Sequence, residues 1–539
     1  MNALRLISTF IILIDLFVLP ARAQQYTRKE SELVMAGPLH DIIPCPGGGH
    51  LVITYPLVET NSPADLAITK YDAQLSILYN NPLKELHPSY YRGALYSDNR
   101  LFLFCSNNSV VTRYEIDDKT GKIIGKPLTL YTLVEKEFTS HTFSLQTTKA
   151  NFYTGSSHNK EFHYSFARNV EHKKQETIEG VILNKKMEVT AHFSFLKPKE
   201  EGEWYHNKDD AVQVVLSDKG ALTVVYRVAV EPKRHEYIPN KYTLVQVDEK
   251  GTSGETVLSD LPVGDLRDFS LAIQDDQLTF TGLLSHTSKE GFTAFVSGRF
   301  DPVSKKITDL RETALNTLLS NLPPFMVKAI GKNGISTDSR LIRSIPLKDG
   351  SKIIIAQPST WGFVHEGYYG GVLTPDYNTG GPIQWFYRSD ITVLKMDPHN
   401  VPLWLDVITN TQAESDLTID LGIASTLDDK DNLHLFFNDK TKNQVPCDPR
   451  VFDGTNTILN TNDYKSHELV CVSITPDGKM KKQFIGENKD YPFHLMPENS
   501  LSGIGNTLYF MAIKFSIALH ANHLLNHADY RFGSISIKD

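Results

Sequence analysis

The stretch richest in reactive side chains is ALHANHLLNHADY, residues 518–530, which holds His520, His523 and His527. On a helix, His523 and His527 lie one turn apart, a spacing at which two imidazoles can share a metal ion. His520 and His527 would be about 10 Å apart along that helix and could not share it. Leu524 and Leu525 stand where a zinc hydrolase would carry its glutamate base. A metal at His523 and His527 is the one cofactor this sequence suggests, and it needs a third ligand from another loop. The other reading is a histidine-rich part of a binding or capping surface.

A second constellation is QPSTWGFVHEGYYGGVLTPDYNTGGPIQWFYR, residues 357–388. Aromatic rings bury flat apolar area at low entropic cost, and Tyr and Trp add a polar tip. Trp361, Tyr368, Tyr369, Trp385 and Tyr387 are therefore the candidate ligand-binding residues. They suit a glycan, a peptide or an envelope protein; the alternative is a self-packed cap over a central opening. His365 and Glu366 adjoin them, but neighbours in sequence seldom converge on one ligand.

No catalytic motif stands out. G-x-S-x-G, Walker and H-E-x-x-H patterns are missing. The glycines of PCPGGGHL (44–51) precede a strand pattern, so they read as hairpin glycines and not as a phosphate cradle. TLDDKDN (426–432) lacks EF-hand spacing and reads as a turn. Catalytic residues, if any, are dispersed beyond what spacing reveals.

The elements that carry these residues repeat. A short apolar strand recurs as HLVITY, RLFLFC, NFYTGS, ALTVVY, QLTFTG, KIIIAQ, NLHLFF and TLYFMA. Asp-, Asn- and Gly-rich turns precede several copies, and a second strand ending in an Asp turn follows, as in LAITKYDAQ and ITVLKMDPHN. The unit is four antiparallel strands, which predicts an all-β fold, a β-propeller of eight blades with seven as the alternative. NVEHKKQETIEG (169–180) makes the third unit irregular.

The last unit lacks a fourth strand, and residues 26–35 form a strand with no unit of its own. The N-terminal strand is thus expected to complete the final blade and remove its open edge. DLRETALNTLLSNLPP predicts a helical insertion at 309–324, with Asp309 and Glu312 as a capping box. Connections between the second and third strands are long at 227–240, 357–388, 438–466 and 514–529. All should project from one face, where function is expected.

The sixth unit, DGSKIIIAQP followed by YRSDITVLKMDPHNVPLWLDVITNTQ, resembles exported proteins of Bacteroidetes-type bacteria, a family of unknown function. The resemblance is strongest over 348–412. It implies export and a propeller-like fold and assigns no site. Here PHN follows Asp397 where that pattern has Gly.

The N-terminus reads as a signal peptide, residues 1–23. Arg5 precedes an apolar run, and Ala21 and Ala23 offer a cleavage site near Ala23. The rival is an uncleaved anchor, but the run is short of the roughly 20 residues a span needs. The expected location is secreted or periplasmic, with residues 24–539 as a single propeller domain and no transmembrane segment in the mature chain.

Four cysteines, Cys45, Cys105, Cys447 and Cys471, permit two disulfides in an exported protein. Cys447 with Cys471 is the favoured pair by proximity; Cys45 and Cys105 read equally as buried thiols. A net charge of −8 with no Lys/Arg-rich run carries no footprint for nucleic acid. These observations point to a binding or scaffold module of the cell envelope. The alternative is a hydrolase or lyase acting on glycans or peptides.

Overall fold

The structure, a computed structural model, describes residues 25–33, 35–36, 39–54, 66–87, 89–107, 109–133, 152–170, 175–198, 213–228, 241–257, 265–274, 277–286, 291–301, 306–336, 339–364, 383–410, 412–415, 421–440, 443, 459–460, 467–485, 493–502, 506–515 and 528–538. Their strands form eight antiparallel sheets in chain order, each built on four strands. The inner strands are Leu39–Pro44, Tyr90–Ser97, Phe152–Ser156, Gln213–Leu216, Asp265–Gln274, Ser339–Pro346, Ala424–Leu427 and His494–Ser502. The last of these packs against the first, so the sheets close into a ring. The protein is an eight-bladed β-propeller.

Alternation within the strands explains the ring. In RLFLFC, Leu101, Leu103 and Cys105 pack toward blade 1, while Phe102 and Phe104 pack toward blade 3. Both faces of such a strand are buried, so it reads as an unbroken apolar run and not as a polar–apolar alternation. A separate hydrophobic core fills each junction between neighbouring blades, including the one between blade 8 and blade 1.

The N-terminal strand supplies the missing fourth strand. Gln25–Glu30 pairs antiparallel with Ala528–Lys538, from Gln25 opposite Lys538 to Glu30 opposite Gly533. Its side chains also reach blade 7. Tyr26 Oη lies 2.7 Å from Ser473 Oγ and 3.1 Å from His434 Nδ1. Arg28 donates to the Phe493 carbonyl at 2.5 Å and to Glu30.

The two ends of the ring differ. At one end the turns are tight and share one device. Asp72, Asp248, Asp397 and Asp428 each accept, through Oδ1, the N–H groups two and four residues on. The residue between those donors is left-handed: Leu75, Gly251, Asn400 and Asp431 all have positive φ. Asn400 thus does the job of a turn glycine, as Asn and Asp can. The strands that end at Thr54, Val228, Lys440 and Phe515 terminate at the opposite, loop-bearing end.

Two expectations need correction. Residues 309–314 are not helical; they belong to the outer strand Lys306–Ala314, and a 3-10 segment follows at Leu315–Asn321. The α-helix, α1, begins at the second of the two prolines and spans Pro324–Asn333. The outer strand is almost wholly exposed, Leu310 included, so it shows no period-2 signal. Proline is well placed in a first helical turn, where its missing N–H costs nothing. Met326, Val327 and Ile330 of α1 pack on the core between blades 5 and 6, at the loop-bearing end. The second correction concerns NFYTGS, which is the inner strand of blade 3. The second and third strands there are Phe162–Val170 and Gln175–Asn184, so NVEHKKQETIEG spans an ordinary hairpin.

Candidate functional site

Blade 6 departs from the common pattern at the loop-bearing end. Its second strand, Lys352–Val364, runs 13 residues. Within the blade it pairs with Ile391–Met396 as far as Ala356 opposite Thr392, and with the inner strand as far as Pro358 opposite Ser339. It then continues out of the ring, pairing with Ile383–Arg388 from Ser359 opposite Arg388 to Val364 opposite Ile383. Gln412–Ser415 adds to Ile383–Arg388, and Leu459–Asn460 adds to that in parallel. Three separate connections thus build a small accessory sheet on one blade.

At the foot of this hairpin, Gln357 and Pro358 face Ser389, Asp390 and Ile391, two residues against three. Such bulges bend a hairpin and recur beside functional sites. Gln357 Nε2 donates to the Ser389 carbonyl at 2.9 Å, and Asp390 Oδ1 accepts the Asn410 N–H at 3.0 Å. Burial raises the Asp390 carboxyl above the usual carboxylate range, and the Asn410 N–H only partly offsets this. Two buried polar atoms here have no partner among the described residues: Gln357 Oε1 and Asn410 Nδ2. Gln357 is 1% exposed and Asn410 6%.

A polar floor extends from the bulge toward blades 7 and 8. Gln412 donates to the Asn438 carbonyl at 3.0 Å and accepts the Gly422 N–H at 2.9 Å. Asn438 donates to the Leu495 carbonyl at 2.8 Å. Lys482 pairs with Asp439 at 2.9 Å, and Asn443 donates to the same carboxylate at 2.6 Å. The His467 and His494 rings stand edge to face, 5.5 Å between centroids.

Three of the five aromatic candidates fall in the accessory sheet. Trp361 is opposite Phe386; Trp385 lies between Gly362 and Ser415; Tyr387 lies between Thr360 and Ala413. Tyr368, Tyr369, His365 and Glu366 lie outside the described residues, as do the signal-peptide stretch and Cys447. So do His520, His523 and His527, the expected metal cluster. Among the described residues, no group of three or more His, Cys, Asp or Glu is placed to hold a metal.

Cys471 corrects the favoured disulfide. It is a free thiol, fully buried in mid-strand against the blade 8 core. Cys45 and Cys105 are also free and buried. Cys471 Sγ lies 3.3 Å from Tyr26 Oη and 3.9 Å from His434 Nδ1, and His434 Nε2 lies 3.1 Å from Asp428 Oδ2. The order Cys–His–Asp looks like a nucleophile, a base and its orienter. The setting says otherwise. Burial pushes the Cys471 thiol up to about 12, and neither Cys471 nor His434 has any exposed surface. Asp428 is raised by burial, but hydrogen bonds from His434 and Asn432 outweigh that and hold it at about 2. This cluster fastens the N-terminal strand. No spacing in the sequence could show it, because its members come from both ends of the chain.

No family model matches this chain, and no curated protein sequence does. Solved structures with a similar arrangement are propellers of varied kinds. The β-propeller domain of the Trilobed protease from Pyrococcus furiosus is 9% identical, with a TM-score of 0.32 over 70% of this chain and 95% of that one. Polysaccharide lyase Uly1 is 8% identical, with a TM-score of 0.36 over 83% and 90%. The Dos1 propeller is 10% identical, with a TM-score of 0.32 over 94% and 93%. Likeness at this level carries no argument about activity, and the fold rests on the closed ring of eight sheets.

Proposed function

We propose that this propeller is an exported binding module of the cell envelope, and that the loop-bearing end of blades 6 to 8 takes a glycan or peptide. The observation that carries this reading is the accessory sheet. A ring needs no such sheet to close, yet three connections combine to raise one on blade 6. Trp361 sits in its edge strand, and Trp385 and Tyr387 sit in the strand beside it. Aromatic positions on a sheet raised at the loop-bearing end suit ligand recognition. The stretch 348–412, which carries the resemblance to exported bacterial proteins, holds three of this blade's four strands and the projecting hairpin. The test is excision of residues 365–382 in favour of a short Gly/Ser link. Binding to an oligosaccharide and peptide panel should disappear while the melting temperature holds. Retained binding sinks the reading. Cell fractionation with N-terminal sequencing of the mature chain tests export and cleavage after Ala23.

A second reading, a hydrolase or lyase, is favoured by Asp390 alone. A carboxyl raised by burial at the foot of a binding hairpin is suited to donate a proton. Turnover of polysaccharide by the wild type and its loss in Asp390→Asn would support this reading. No turnover by the wild type dismisses it.

A further inference from the structure

We propose that a cleft between the outer parts of blades 2 and 3 binds a small organic acid, its carboxylate held by Arg100, Arg113 and Lys186 and its apolar body lying against Leu128 and Val189. The cleft opens at the tight-turn end of the ring. It therefore stands or falls independently of the loop-bearing surface.

Strand alternation builds one wall. Arg100 and Phe102 share a face of the second strand of blade 2, Arg100–Asn107. Glu115 lies opposite Phe102 on the third strand, Val110–Ile116, and Arg113 shares its face. The two guanidinium groups converge on one ring, with their central carbons 5.3 and 5.0 Å from the Phe102 centroid. A turn of blade 3 builds the other wall. Met187 has a φ of 62°, is fully buried in the core between the two blades, and offers its carbonyl to Arg113 Nη1. With Met187 turned inward, Lys186 and Glu188 are left exposed at the mouth. The cleft holds about 580 Å³, a volume suited to a small molecule.

Its charges do not balance. Arg100 pairs with Glu115 at 3.1 Å, and Glu188 accepts from Asn184 at 2.9 Å. Arg113 and Lys186 have no ion-pair partner among the described residues. The three cations outnumber the two carboxylates by one. Burial is the largest influence on Arg113 and pushes its pKa down; Arg100 adds to this, while Glu115 and Glu188 oppose it. A guanidinium so placed is stabilised by a planar carboxylate, which it can meet through two parallel hydrogen bonds. The approach is open, since the Arg100 side chain is 40% exposed and Leu128 36%.

Leu128 and Val189 make the rest of the lining apolar. An inorganic anion would leave that surface and most of the volume unused. A monocarboxylate with an apolar body matches both the surplus charge and the wall.

The experiment is calorimetric titration of the full chain at low ionic strength with benzoate, phenylacetate and hexanoate, with their neutral amides, and with sulfate. The variants are Arg113→Gln, Lys186→Gln and Lys185→Gln. Lys185 is the control, because it adjoins Lys186 but is already paired with Glu161 at 2.8 Å. The wild type should bind at least one acid with a Kd below about 1 mM and none of the amides. Arg113→Gln should weaken that binding about tenfold or more, Lys186→Gln about threefold, and Lys185→Gln not at all. If Arg113→Gln fails to fold, Lys186→Gln, in an exposed turn, decides alone. No binding of any acid by the wild type overturns the inference, as does unchanged affinity in Lys186→Gln. Equal weakening by Lys185→Gln overturns it, since the effect would then be the general field of the surface. Amides binding as tightly as acids overturn it, because the cleft would be merely apolar. Sulfate binding as tightly as the acids overturns it, because the cleft would read charge alone. None of these results bears on the accessory sheet of blade 6.

Discussion

Tyr26 Oη stands 2.7 Å from Ser473 Oγ, across 447 residues of chain. The hydroxyl enters a buried site formed by blade 7, although Tyr26 belongs to the outer strand of blade 8. The clasp therefore grips two blades, through backbone pairing in one and a buried side chain in the other.

Tyr26→Phe removes this grip without disturbing the strand pairing. It leaves the facing atoms of His434 and Ser473 without the phenol. A loss of about 1–3 kcal/mol is expected, as for other buried hydrogen-bond partners. Urea unfolding measures it, and an unchanged midpoint would show that the clasp depends on the backbone alone.

Two buried histidines set an acid limit. Burial lowers both His50 and His163 from 6.5 to about 4. His163 is also held between Ser97 and Ser156 hydroxyls at 2.7 and 2.8 Å. Above pH 6.5 neither state takes up these protons, and stability is intact. As pH falls from 6.5 toward 4, the unfolded chain binds protons that the folded ring refuses, so stability declines across that window. Urea midpoints at pH 7.5, 5.5 and 4.5 should fall in that order. The slope should flatten in His163→Asn.

Asp390 has the opposite sign. Its folded pKa is raised from 3.8, so its neutral form is favoured in the ring. The contribution is present at low pH and is lost as pH rises through the raised value. Asp390→Asn should raise the melting temperature at pH 7, with the gain shrinking on acidification. A gain independent of pH would remove titration as its cause.

Gly251 tests how closely neighbouring blades are fitted. Its φ is +84°, and an added Cβ would collide with the His192 carbonyl of blade 3. Gly251→Ala should cost more than about 1 kcal/mol, because neither the backbone angle nor the backbone neighbour can yield. Thermal unfolding against Gly47→Ala, where the added carbon meets nothing within 4 Å, isolates the effect.

The ring was legible because its signals are local. Apolar runs such as RLFLFC and Asp-led turns such as VDEKG follow from burial on both strand faces and from one hydrogen-bonding device. The outer strand at 306–314 was not legible, since an exposed strand has no pattern to show, and its neighbours happened to repeat at helical spacing. The aromatic stretch 357–388 was visible by composition. Its bulge was not, because the offset of Gln357 and Pro358 against Ser389, Asp390 and Ile391 is a matter of pairing. The partners of Tyr26 were beyond reach for the same reason.

The clasp also imposes a timetable. Gln25 cannot meet Lys538 until the whole length between them exists. At roughly 5–20 residues per second, tens of seconds of synthesis separate the two strands. Throughout that interval the seam stays open, with one sheet edge unsatisfied and an apolar interface unsealed. A chain halted before residue 528 could stack its early blades but never lock them, which makes this protein most vulnerable to aggregation and proteolysis while it is nearly finished.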